Sequence, residues 1–210
     1  MGLYSVQNEL QILGKASELF LKYGIRSVSM DDIARELGIS KKTIYVHYQD
    51  KDALLVAFMK RQLELHEQIF ERMKQGSENV IAEILMISGN SVQEMQKYHT
   101  TLLYDLQKYH RNVWQLFEDF KNETIHRQIK DQIERGIATD FFRSEIDVEV
   151  AAIMHLQQIT TALNPDVFSP RLYDTNLVFR QITMIFLRGI CTKKGLKMID
   201  KIHLNSKPNR

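Results

Sequence analysis

DDIARELGISKKTIYVHY, residues 31–48, decides the fold. It reads as a short helix, a tight turn at Gly38 and a second short helix over residues 41–48, the layout of a helix-turn-helix. Ala34 is small enough to let the two helices approach, and Ile33, Leu37, Ile39 and Ile44 supply the apolar pins. At 100° per residue, Ile44 and Tyr48 fall on one side of the second helix and Lys42, Thr43 and Val46 on the other, flanked by Tyr45 and His47. The outward face suits a major groove. A lysine can bind phosphate or guanine, hydroxyls can donate to phosphate oxygens, and a valine can touch a thymine methyl. Short helix pairs with a glycine turn also occur as plain scaffold, so these residues alone leave open a helical interaction module.

Helical signals continue on both sides. Ile12, Leu13, Ala16, Leu19, Phe20 and Tyr23 share one face of a helix that Gly24 ends. Ser29-Met30-Asp31-Asp32 predicts a capped start for the next helix, with aspartate where a capping box usually has glutamate. Ser40 caps the second short helix, and Asp50 opens a long one through Leu54, Phe58, Leu65 and Ile69. Beyond Gln75-Gly76-Ser77, periodic stretches predict helices near 78–92, 95–110 and 112–135, the third closed by Gly136. Ser144 or Asp147 opens another helix that Asn164-Pro165 closes, and a last long helix is expected over 172–192. The tail after Arg188 carries Lys193, Lys194, Lys197, Lys201, Lys207 and Arg210 against Asp200, and reads as a solvated, partly frayed end.

Composition narrows the function classes. The chain has 210 residues, 44% hydrophobic and 26% charged, with 9 Gly and 3 Pro, which favours an all-α protein over a sandwich or barrel. The net charge of +2 imposes no global basic field, so a nucleic-acid partner must be argued from local placement. The single cysteine, Cys191, excludes an internal disulfide framework and a cysteine-based zinc site. The opening MGLYSVQNEL is not a secretory signal, and no apolar run suffices for a membrane span, so the expected location is the cytoplasm. Enzyme motifs are missing: His66-Glu67 begins a zincin-like pair but Phe70 stands where the second histidine is needed. No phosphate loop, nucleophile elbow or dinucleotide fingerprint occurs, and no cofactor or metal is implied.

The stretch ILGKASELFLKYGIRSVSMDDIARELGISKKTIYVHYQDKDALL, residues 12–55, closely resembles the DNA-binding domain of the TetR family of bacterial transcriptional regulators. The resemblance is carried by Ala16, Leu19, Phe20 and Gly24, by Asp32-Ile33-Ala34, by Gly38, and by the run from Thr43 to Leu55. It implies an amino-terminal three-helix helix-turn-helix domain, residues 1–50, and a larger helical effector-binding and dimerisation domain, residues 51–210. It places DNA contacts on Ser29, Lys41, Lys42, Thr43, Tyr45, Val46, His47 and Lys51. Tyr48 stands where the family usually has phenylalanine and is expected to add a hydroxyl near the DNA-facing edge. The implied protein is a repressor released from a pseudo-palindromic operator by a small apolar or amphipathic ligand. An activator of the same fold without a ligand is the alternative.

The carboxy-terminal half supports self-association. In the last helix Val178, Ile182, Ile185, Phe186 and Gly189 form one stripe, and Leu177, Met184, Leu187 and Cys191 form a second nearly opposite. A helix apolar on two sides must bury both, most simply against a symmetry-related copy. Leu156 and Ile159 belong to a similarly apolar helix, so Leu156, Ile159, Leu177, Met184, Leu187 and Cys191 are the expected dimer contacts. Apolar and polar groups mix in the middle helices, which makes Met95, His99, Tyr104, Trp114, Phe117 and His155 candidates for an effector pocket. Trp114 and Phe117 would serve equally as core anchors.

Overall fold

A computed structural model gives the fold, and it describes residues 2–95, 102–164, 166–169 and 171–205. The described residues are helical: α1 (Gly2–Tyr23), α2 (Met30–Leu37), α3 (Lys41–His47), α4 (Lys51–Gly76), α5 (Val80–Met95), α6 (Leu102–Tyr109), α7 (Arg111–Phe120), α8 (His126–Ala138), α9 (Val148–Ala162), α10 (Thr175–Ile190) and α11 (Lys193–Asn205). A π-helical turn, Lys121–Ile125, joins α7 to α8. Among them the only extended pairing is an isolated bridge between Phe142 and Cys191. Packing divides the chain into two compact units, Met1–Glu67 with Glu94–Phe120 and Gln68–Gln93 with Lys121–Arg210.

In the first unit α1, α2 and α3 pack on one another, and α4 contributes its opening turns. Ile12, Ala16, Phe20, Ile33, Ala34, Ile44, Leu54, Leu55 and Phe58 make the centre of its core. Phe20 meets Phe58 edge to face, with ring centroids 5.6 Å apart. Leu102 and Leu106 of α6 and Val113 of α7 complete the same core. His110, between α6 and α7, brings its Nδ1 to 2.7 Å from Asp52 Oδ1 at the start of α4.

In the second unit α8 packs on α9 and α9 on α10. Ile81, Ile84, Ile133, Phe142, Leu156, Phe186, Leu187 and Ile199 lie in its core. Glu83, wholly covered on α5, accepts hydrogen bonds from Gln132 at 3.0 Å and Arg135 at 2.8 Å, so its charge is paired as a buried carboxylate requires. The Asp131 carboxylate takes Arg135 and Lys74, each at 2.9 Å.

Several boundaries differ from the sequence expectation, and the helix expected over 112–135 is divided into α7, the π-helical turn and α8. Gly136 does not close α8, which continues to Ala138. It is where Phe142 folds back: a Cβ there would lie 2.0 Å from Phe142 Cδ2, so glycine serves close approach rather than termination. The helix expected over 172–192 starts at Thr175, capped by Asp174, and ends at Ile190. The basic tail is not frayed over 193–205: α11 forms there, with Ile199 fully buried and Gly195 packed on Phe141 and Cys191. The lysines had masked the apolar positions Leu196, Met198, Ile199 and Ile202.

His155 of α9 is buried and stacks on Phe186 of α10, with centroids 3.8 Å apart and planes 10° from parallel. Burial lowers its pKa from 6.5 to about 4, partly offset by Gln158. The unfolded chain takes up this proton below pH 6.5, and the folded chain only near pH 4. The stability this provides is therefore complete above pH 6.5 and drains as pH falls toward 4. The loss should approach about 3 kcal/mol in urea unfolding followed across that window, and His155→Leu should remove that part of the pH dependence.

Candidate nucleic-acid interface

The α2–α3 pair is built by local chemistry. Ser29 caps α2: its hydroxyl accepts from the Asp32 N–H at 3.2 Å, while the Ser29 N–H donates to the Asp32 carboxylate at 2.9 Å. The Ser29 hydroxyl and N–H, followed by Arg35, hold the Asp32 carboxyl down to about 2. Gly38 ends α2 at φ 65°, a left-handed conformation that glycine adopts without steric cost, and its N–H returns to the carbonyls of Ala34 and Arg35. Ser40 then caps α3, accepting from the Thr43 N–H at 3.1 Å.

The α3 faces follow the wheel drawn from sequence. Ile44 is fully buried and Tyr48 nearly so, while Val46 is 73% exposed and Tyr45 43% exposed. Lys41 and Lys42 are exposed, and Thr43 and His47 are half-covered. Of these, Lys42, Tyr45, Val46 and His47 present side chains with no hydrogen-bond or ion-pair partner among the described residues.

The other expected contacts are already engaged within the unit. The Ser29 hydroxyl also donates to Asp32 at 2.6 Å, and the Thr43 hydroxyl pairs with that of Ser40 at 2.8 Å. Lys41 Nζ lies 2.8 Å from Asp31, whose carboxylate raises the pKa of the ammonium above its ordinary value. Lys51 is half-buried; its Nζ donates to the Ile25 carbonyl at 2.6 Å and lies 5.9 Å from the Phe20 ring centroid. Burial lowers its pKa against the opposing pull of Asp105, Asp52 and Asp32. Lys51 thereby ties the start of α4 to the α1–α2 connection.

Tyr48 needs correction. Its hydroxyl is not at an exposed edge: the side chain is 5% exposed, and the oxygen has no hydrogen-bond partner among the described residues. Tyr48 ends α3 in extended backbone, φ −130°, and turns its ring inward with Ile44.

The described candidate effector residues fall in both units. Tyr104 is 51% exposed, and Trp114 and Phe117 pack against the first unit's core with their rings 5.2 Å apart. His155 belongs to the second unit. The side chain of Met95, and His99 altogether, lie outside the described residues.

The dimer candidates also divide. Leu156, Leu187 and Cys191 are core residues, and a side chain covered within its own chain offers no surface to a second copy. Burial raises the Cys191 thiol to about 11, as for an inert core cysteine. Ile159 and Met184 are half-covered, and Leu177 is exposed. The buried face of α10 cuts across both stripes and takes Val178, Phe179, Thr183, Phe186, Leu187 and Ile190. The outward apolar surface consists of Leu177 and Ile185 on α10 and Val150, Ile153 and Met154 on α9.

The architecture defines an all-helical protein whose amino-terminal unit presents a helix-turn-helix with an outward second helix. Residues 12–58 match the model of the bacterial regulatory proteins of the tetR family. Over these residues the chain is similar to the amino-terminal domain of a family of bacterial regulatory proteins. The HTH-type transcriptional regulator SAR2658 of Staphylococcus aureus is 30% identical over 97 residues, which are 46% of this chain and 52% of that protein. The match thus spans about half the length of that relative. In fold, the chain is similar to a TetR-family regulator from Cytophaga hutchinsonii, with TM-score 0.74 and 17% identity over 92% of this chain and 99% of that one. It is similar too to a transcriptional regulator from Saccharomonospora viridis solved with choline, with TM-score 0.72 and 17% identity over 90% of this chain and 100% of that one. No helix among the described residues is long and apolar enough to cross a membrane.

The orphan hydroxyl gives a direct test of the interior. Tyr48→Phe should leave stability unchanged or raise it by about 1 kcal/mol, because an unpaired buried hydroxyl pays a desolvation cost with no return. Urea unfolding of the two proteins measures the difference.

Proposed function

We infer that this chain is a DNA-binding transcriptional regulator that docks α3 in the major groove. The observation that carries this is the outward face of α3, where Lys42, Tyr45 and Val46 stand clear of the core on a helix held by the Gly38 turn and the Ser40 cap. Its chemistry divides as groove reading requires: Lys42 for a phosphate or guanine, Tyr45 for a phosphate oxygen, Val46 for a thymine methyl. The match of residues 12–58 to the tetR family supports the same use.

The operator partner is a pseudo-palindrome read by a homodimer. The apolar face of α9 and α10, with Val150, Ile153, Met154, Leu177 and Ile185 exposed, supports a two-fold four-helix contact. Two heads then meet major-groove faces about 34–36 Å apart, or a multiple of that. Release by a small molecule in the helical second unit, with repression as the default state, completes the proposed cycle. The choline-bound neighbour supports a ligand in this fold. A ligand that binds one spacing of the heads better than another lowers DNA affinity by that difference alone.

Fluorescence anisotropy tests the first part, using duplex from upstream of the gene and a scrambled control. Wild type should prefer the first by about 10³-fold or more. Lys42→Ala should weaken binding and reduce the magnitude of the salt slope by about 0.9 per head if it meets a phosphate. Tyr45→Ala should weaken binding as well. Equal affinity of both variants and wild type for the upstream duplex would remove α3 from the interface. Sedimentation tests the second part: Met154→Glu and Ile185→Glu should convert dimer to monomer, while an intact dimer in both would move the contact off this face.

A further inference from the structure

The two lysines that open α3 are not equivalent. Lys42 has no acidic partner among the described residues, whereas Lys41 Nζ lies 2.8 Å from Oδ2 of Asp31 in the first turn of α2. The pair is open to solvent, with 45% of the Lys41 side chain and 63% of the Asp31 side chain exposed, so it does not serve the core. Nor does α2 need Asp31 as a cap, because Ser29 and Asp32 form the capping box between them. What remains is a carboxylate beside the lysine on the surface assigned to DNA.

We propose that Asp31 occupies on Lys41 the place of a DNA phosphate and so sets a ceiling on sequence-independent affinity. This rests on the DNA-binding function inferred above. Carboxylate and phosphate oxygens are the same kind of charge-assisted acceptor for an ammonium, so they compete for Lys41. A phosphate that approaches Lys41 also meets the Asp31 charge. The pair is neutral as a whole, and a contact made there adds little counterion release, whereas a bare lysine on a phosphate adds about 0.9 to the magnitude of the salt slope. Asp31 therefore weakens docking on every sequence alike and leaves the base-facing side chain Val46 untouched. It is an affinity-determining residue that works through Lys41.

The test is a gain of binding, which a misfolded variant cannot produce. Full-length wild type, Asp31→Asn and the double variant Asp31→Asn/Lys41→Gln are titrated into a fluorescent random-sequence duplex between roughly 50 and 200 mM NaCl. Asp31→Asn should bind about ten-fold tighter at the low-salt end and steepen the slope by about 0.9 per head. In the double variant both gains should vanish. Unchanged or weaker binding by Asp31→Asn overturns the proposal. So does an equal gain in the double variant, because the effect is then charge removal without competition at Lys41. A wild-type protein that binds neither this duplex nor any genomic fragment in this range refutes the DNA-binding function itself, and the proposal falls with it.

Discussion

The edge-to-face contact of Phe20 with Phe58 is the constraint on which the reading head depends. Both rings are fully buried, and they fasten α1 to α4 across the core that α2 and α3 share. A helix as short as α3 cannot be stable by itself, because so few turns do not repay nucleation. Its orientation comes from Ile44 set into that core, from the Gly38 turn before it and from Tyr48 folded in behind it. Lys51 strengthens the same frame from α4, bonding to Ile25 where the chain enters the α2 region.

The head also shows how charge is apportioned on the surface proposed to face DNA. Most of the polar atoms that the family pattern assigns to DNA have partners inside the protein: Ser29 with Asp32, Thr43 with Ser40, Lys41 with Asp31, Lys51 with Ile25. Such partners fix side chains in place, and they also make each contact with DNA an exchange rather than a simple addition. The residues with no hydrogen-bond or ion-pair partner among the described residues, Lys42, Tyr45, Val46 and His47, lie together on α3. On the proposed function, the divided roles suit discrimination of one site from a genome of similar backbones, where the ratio of affinities matters more than the affinity itself.

Legibility in the sequence followed the range of the interactions. The helix-turn-helix was readable because its determinants are local: the caps at Ser29, Ser40 and Asp50, the left-handed glycine at 38, and the wheel that turned Ile44 inward and Val46 outward. The Lys41–Asp31 pair was not, since it closes across the turn between residues ten apart. Gly136 looked like a stop because only the fold brings Phe142 against it. The two apolar stripes of α10 were visible, but the buried face cuts across both, taking Val178 and Phe186 from one and Leu187 from the other while Ile185 and Leu177 stay exposed, and only tertiary packing decides that. The helix α11 carried a usable signal in Leu196, Ile199 and Ile202 that the lysine count obscured. For the effector candidates the sequence offered only a mixture of aromatic and polar groups along helices, which does not specify which of them a fold brings together.

The most direct measurement of the central claim is the geometry of the protein on the DNA it selects. Genomic fragments retained by the full-length protein would be sequenced, and the enriched site footprinted at nucleotide resolution. A dimer reading through α3 predicts a pseudo-palindrome protected on major-groove faces about 34–36 Å apart, or a multiple of that. A retained pool with no common site, or protection of one asymmetric stretch, would contradict it.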